Sequence, residues 1–200
     1  MNTQARREDQ LVLELLDAVG KKSDVSQRHL ASEMGVALGL ANSYLKRCIR
    51  KGLIKITQAP ANRYLYYLTP KGFAEKSRLT AKYLAYSFDF YRQAGESCIR
   101  LFAHCEAHGW RRVVLCGHSD LAEIAALRAQ DRKIEVLGVY DPHTDATHLA
   151  GRSVWQTFKE MPVFDVCILT DLTTPQRSFE YLRERMEHER ILVPDILRLG

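Results

Sequence analysis

Residues 26–52, SQRHLASEMGVALGLANSYLKRCIRKG, decide the fold of the first third of the chain. Ser26 is a favourable N-cap, and Leu30, Ala31 and Met34 recur on one face before Gly35 ends the stretch, which predicts a short helix. A second helical stretch, Gly39 to Lys51, sets Ala41, Leu45 and Cys48 on one face, with Gly52 just past its end. Two helices meeting through a tight glycine-containing turn predict a helix-turn-helix.

The flanks extend this unit. Upstream, Val12, Leu15, Leu16 and Val19 recur at helical spacing up to Gly20. Downstream, Leu53-Ile54-Lys55-Ile56 reads as a strand, Gln58 to Arg63 as a turn, and Tyr64-Leu65-Tyr66-Tyr67-Leu68 as a returning strand, so a hairpin or wing follows the helices. Thr69-Pro70 supplies an N-cap and a proline at the first helical position. The region to residue 108 carries Phe73, Leu79, Tyr83, Phe88, Phe90, Tyr91, Ile99, Leu101 and Phe102, more apolar surface than one small domain covers. One or two connector helices that pair in a homodimer are expected there.

From Trp110 the period changes. Val113 to Cys116, Ile134 to Val139, Val166 to Leu169 and Ile191 to Val193 are short continuous apolar runs, as in parallel strands buried on both faces. Helical stretches Leu121 to Gln130 and Pro175 to Glu187 alternate with them, predicting a small Rossmann-like α/β domain. The expected fold is therefore a winged helix-turn-helix (residues 1–72), a helical connector (73–108) and a parallel-sheet sensing domain (109–200).

Charge separates the same parts. Residues 1–72 hold twelve Lys and Arg against six Asp and Glu, whereas the remainder is nearly balanced, although the whole chain carries +5. A basic excess confined to one module is the footprint of phosphate contact, and double-stranded DNA is the expected partner. A helix enters the major groove with small, polar or basic residues outward. Gly39, Leu40, Asn42, Ser43 and Lys46 would occupy that face, with Arg47 and Arg50 nearer the backbone and Arg28 on the preceding helix. Asn42 is the candidate base reader, because its amide pairs bidentately with adenine; Lys46, Arg47 and the wing residue Arg63 are assigned to phosphates.

Ser26 to Gly35, Gly39 to Leu45, Arg50 to Lys55, and above all Tyr67-Leu68-Thr69-Pro70-Lys71-Gly72 resemble the MarR-type winged-helix regulators associated with exopolysaccharide clusters, over about the first 90 residues. That resemblance implies a dimeric DNA-binding transcriptional regulator. In the C-terminal part, Gly117-His118-Ser119-Asp120-Leu121-Ala122 stands where a dinucleotide fold keeps its phosphate turn, with Ser119 replacing the second glycine. Asp141 ends the next strand, where an acidic residue meets ribose hydroxyls, and Thr170 and Asp171 end the strand beyond. These residues resemble the nucleotide-sugar-binding domain of bacterial sugar acetyltransferases and, more loosely, the Rex redox-sensing repressors. They imply a UDP-sugar or NAD(H) effector at Gly117, His118, Ser119, Asp120, Leu121, Asp141, Thr170 and Asp171. An enzyme acting on a sugar nucleotide and a ligand-free interaction adaptor are the competing classes.

Other chemistry is weakly encoded. Gly117-His118-Ser119 lacks the second glycine of a nucleophile elbow, and no acid, base and nucleophile set can be assembled, so no catalytic residue is assigned. Neither Asp141, His143, Asp145 and His148 nor His104 with His108 has standard ligand spacing, so no metal site is assigned. Five scattered cysteines, with no C-x-x-C pair, suggest neither a disulfide framework nor a zinc ribbon; Cys116 and Cys167 read as small core residues. No apolar run approaches the roughly 18 residues of a membrane span, and a cytoplasmic protein is expected.

Overall fold

The computed structural model describes residues 3–60 and 63–199, with the side chains of Thr3, Ala59 and Arg63 outside that description. The chain divides into two compact units, Met1–Ser87 and Phe88–Gly200.

The first unit is a winged helix-turn-helix. Helix α1 (Thr3–Lys21) buries Leu11, Val12, Leu15, Leu16, Ala18 and Val19. Helix α2 (Gln27–Glu33) is capped as expected: Ser26 Oγ accepts from the His29 N–H at 3.1 Å. Helix α3 (Leu38–Arg50) turns Ala41, Leu45 and Cys48 into the same core. Strands β1 (Ile54–Ala59) and β2 (Arg63–Leu68) form the antiparallel hairpin, with Ile54 opposite Leu68 and Ile56 opposite Tyr66. Opposed residues share a face, so one hairpin face begins in the core at Ile54 and Tyr66 and emerges at Ile56 and Tyr64, which are exposed.

The junction after the wing has a specific physical cause. The Thr69 hydroxyl donates to the Gly52 carbonyl at 2.7 Å, and its oxygen accepts from the Gly72 N–H at 3.0 Å. Lys71 Nζ donates to the Lys51 carbonyl at 3.0 Å. A Cβ on Gly72 would fall 2.0 Å from the Leu53 carbonyl oxygen, so only glycine lets the next helix start this close to the wing. Beyond it runs α4 (Pro70–Ala107), one helix where the sequence allowed two; its residues up to Ser87 belong to the first unit and those from Phe88 to the second.

The second unit is a three-layer α/β domain. Its strands are β3 (Arg112–Cys116), β4 (Glu135–Tyr140), β5 (His148–Leu149), β6 (Arg152–Trp155), β7 (Val166–Leu169) and β8 (Ile191–Leu192). The order is β5-β6-β4-β3-β7-β8, parallel except for the β5–β6 pair. The order in which strands are added reverses between β3 and β7, which is the switch point of a Rossmann-like sheet. Val113, Leu115 and Ile168 pack against α5 (Asp120–Arg128) and the second half of α4, where Cys98 and Phe102 are buried. Val114, Tyr140 and Leu169 face α6 (Pro175–Arg183).

Asp165 fixes the start of the sheet: one carboxylate oxygen accepts the N–H groups of Arg111 and Arg112 at 2.7 and 2.8 Å. Those bonds, Arg112 first, hold its carboxyl below the ordinary value. Cys116 and Cys167 are core residues, as the sequence suggested, and what it did not show is that they meet. Both are buried, but β3 pairs with β7 so that they share a face, and their sulfurs are bonded. A sequence separation of 51 hid that proximity. Burial pushes the thiols of Cys98 and Cys105 up to about 11.

Candidate functional site

Two sites were anticipated, one in each unit. In the first, Gly39, Leu40, Ser43, Lys46 and Arg50 are exposed on α3, opposite its buried stripe, and Arg28 is exposed on α2. Leu38 joins them and was not anticipated; it is 42% exposed, as is Leu40 at 41%.

Asn42 and Arg47 stand differently. Asn42 is half-buried and, with Gln27, Lys46, Ile56 and Tyr64, lines a groove of about 410 Å³. Its Oδ1 is buried without a hydrogen-bond partner among the described residues. Arg47 is half-buried, holds Glu8 of α1 with both terminal nitrogens at 3.3 Å, and lies 5.1 Å over the Tyr44 ring. It therefore helps pack α1 against α3, a role the sequence reading, which assigned it to phosphates, did not include. Glu8 lies 39 residues away, and local periodicity carries no signal of the pairing. Arg63 opens β2, but its side chain lies outside the described residues.

The second site is a cavity of about 640 Å³ at the carboxyl ends of β3, β4 and β7. Gly117, His118, Asp141 and Asp171, four of the residues named from the sequence, line it. Tyr140, Thr173, Arg177 and Tyr181 line it too; the last three arrive with α6 and the turn before it, which the strand-end reasoning did not reach. Ser119 is instead the N-cap of α5, its Oγ accepting from the Ala122 N–H at 3.3 Å and donating to the Thr170 carbonyl at 2.5 Å. Thr170 is fully buried and donates to the Gly117 carbonyl at 2.7 Å. Leu121 is buried in the core and Asp120 is exposed in the first turn of α5. None of these four is among the cavity's lining residues.

The two carboxylates differ in their loading. Asp171 accepts four hydrogen bonds: the N–H groups of Thr173 and Thr174 on Oδ1, and the hydroxyls of Thr174 and Ser178 on Oδ2. Burial alone would raise its pKa, but these bonds outweigh it and the carboxyl sits below the ordinary value. Asp141 accepts two, from the His118 N–H on Oδ2 and the His143 N–H on Oδ1, each at 2.8 Å. Tyr140 and Tyr181 share a hydroxyl–hydroxyl bond of 3.1 Å; burial, then that bond, pushes the Tyr140 phenol up. Arg185 stacks on Tyr181, 3.5 Å from the ring centre.

Among the described residues, no group of three or more His, Cys, Asp or Glu is placed to hold a metal ion. His104 and His108 do approach, with ring centres 4.1 Å apart, and both lie against Trp110, while Cys105 points into the core. No described helix is long and apolar enough to cross a membrane.

Comparison with known proteins follows the division into units. No curated protein matches the chain. Among solved structures, FabT of Streptococcus pneumoniae in complex with DNA is 26% identical, with a TM-score of 0.33; the match covers 39% of this chain and 55% of that one. The chain thus spans little more than half of that relative. A multiple antibiotic-resistance repressor (MarR) from Listeria monocytogenes is 20% identical, covering 52% and 82%, with a TM-score of 0.32. Human N-acetylserotonin methyltransferase in complex with SAM is 13% identical over 93% of this chain and 73% of its own, with a TM-score of 0.33. In sequence, residues 8–55, from within α1 to the start of β1, match the family described as winged helix-turn-helix DNA-binding.

Proposed function

We propose that the protein is a DNA-binding transcriptional regulator that places α3 in the major groove and answers to a nucleotide-type ligand in its C-terminal cavity. The observation that carries the first half is the surface of α3: one face buried, the other presenting Gly39, Leu40, Ser43, Lys46 and Arg50 to solvent in the basic part of the chain. Such a face fits between phosphate ridges and adds cationic contacts to them. The second half is supported by the position of the cavity at the switch point of the sheet, outside the carboxyl ends of its strands, with Asp141 ending the strand next to β3. A homodimer would present two recognition helices to half-sites about one helical turn apart.

The experiment is anisotropy of labelled fragments from the gene's own upstream region, at two salt concentrations, with and without UDP-sugars and NAD(H). Selective, salt-dependent binding that one of these compounds alters supports the full proposal. Equal binding to random DNA at every salt concentration overturns it.

A further inference from the structure

Two of the five cysteines meet at the wall of the C-terminal cavity. Cys116 ends β3 and Cys167 lies within β7, diagonal to each other on the face of the sheet that α6 covers, and their sulfurs are bonded. Access to the two differs. Cys116 is one of the cavity's lining residues and keeps 4% of its surface exposed, whereas Cys167 is not among them and is fully buried. A molecule in the cavity therefore reaches the pair from the Cys116 side. The other cysteines are poorly placed for exchange. Cys98 and Cys105 pack with α5 against the opposite face of the sheet, their thiols pushed up to about 11 by burial, and burial also raises that of Cys48. The thiolate is the form that attacks a disulfide, so thiols held protonated do not compete.

The bond lies just below the main chain that shapes the cavity. The Cys116 carbonyl accepts the N–H groups of Thr170 and Asp171 at 2.7 and 3.0 Å, and the Thr170 hydroxyl donates to the Gly117 carbonyl at 2.7 Å. Gly117 and Asp171 line the cavity, and a Cβ on that glycine would lie 2.4 Å from the Asp171 nitrogen, so the two strand ends meet without slack. A thiol joined to the Cys116 sulfur would take up space that a ligand of the cavity needs.

We propose that Cys116 and Cys167 are a redox-active pair, opened and closed by small thiols and their disulfides that arrive through the cavity. A thiol gives up its proton and, as thiolate, bonds to the Cys116 sulfur; the Cys116–Cys167 bond breaks, and Cys167 leaves as a thiolate that takes up a proton. A second thiol attacks the mixed disulfide in the same way and frees Cys116. Two thiols are thereby oxidised to one disulfide, and the pair is reduced to two cysteine thiols. The reverse, with a small disulfide as oxidant, closes it. The test exposes the full, folded chain to 2-mercaptoethanol and, separately, to an equal concentration of the same kind of thiol carried on a long polymer, with maleimide trapping and peptide mapping of the cysteines over time. Expected is opening at least about tenfold faster with the small thiol, and reclosure by 2-hydroxyethyl disulfide. Equal rates with the two thiols, or a pair that opens only in urea, mean a sealed cross-link reached by unfolding and overturn the proposal. So do cysteines 116 and 167 that the small disulfide leaves as free thiols in the folded chain. In Cys167→Ser the same disulfide should add to Cys116 at least about tenfold faster than to Cys98 or Cys105, and equal addition to all three overturns entry through the cavity. The rates on the unaltered protein decide the matter even if that variant fails to fold.

Discussion

Lys46 and Arg47 are neighbours with opposite commitments. Lys46 is exposed, whereas Arg47 spends its guanidinium on Glu8 and Tyr44. Lys46→Ala is therefore expected to lower the slope of log affinity against log salt by about 1, as the loss of one phosphate contact does. Arg47→Ala should leave that slope nearly unchanged and cost up to about 1 kcal/mol of stability, the usual range for a partly exposed ion pair; salt titrations and urea melts of both variants check this. Leu40 is exposed near the start of α3, where recognition helices meet base edges. An apolar side chain there suits a thymine methyl group, so replacing single thymines by uracil in the operator should weaken the parent protein at one position and leave Leu40→Ala insensitive. Acid should act through Asp165 and Asp171, whose carboxyls lie below their ordinary values in the folded chain. A depressed folded value stabilises above the unfolded pKa of about 3.9 and loses that contribution as pH falls through it. Urea midpoints should hold level from about pH 7 to 5 and fall below about 4, and Asp171→Asn should flatten that fall.

At the scale of elements, the helix-turn-helix was legible because its signals are local: Ser26 as a cap, the Ala41, Leu45 and Cys48 stripe, and glycines where the helices end. The Leu-Thr-Pro-Lys-Gly junction was legible as a pattern, and its cause needed coordinates, since the carbonyl that demands Gly72 belongs to Leu53. Gly72→Ala must move α4 or the wing and is expected to cost several kcal/mol, as overpacking against backbone does, measured by thermal unfolding. The four core strands were read from their apolar runs. Strands β5 and β6 escaped because they carry no apolar run, lying in a stretch broken by exposed His148, Gly151 and Ser153. The contacts of the β3–α5 turn were not legible for a related reason: the groups that engage it come from Asp141 and the Thr170–Asp171 strand end, 23 to 54 positions further on.

For the whole molecule, α4 exposes Phe73, Tyr83 and Leu84 in the first unit and Phe88 and Tyr91 in the second, apolar side chains of the kind that self-association would cover. Sedimentation should give twice the 22.9 kDa chain mass, and charged replacements at Leu84 and Phe88 should halve it and weaken operator binding at least tenfold, as loss of one half-site contact does. The sheet carries one more consequence, for synthesis. Strand β3 is the first of its unit to be made and ends at its centre, yet its second neighbour begins only at Val166. Until the ribosome has delivered that segment, Val113, Val114 and Leu115 present an apolar strand with one edge open to other chains. Products truncated between residues 140 and 165 should therefore collect as inclusion bodies, while those ending before Trp110 remain dispersed.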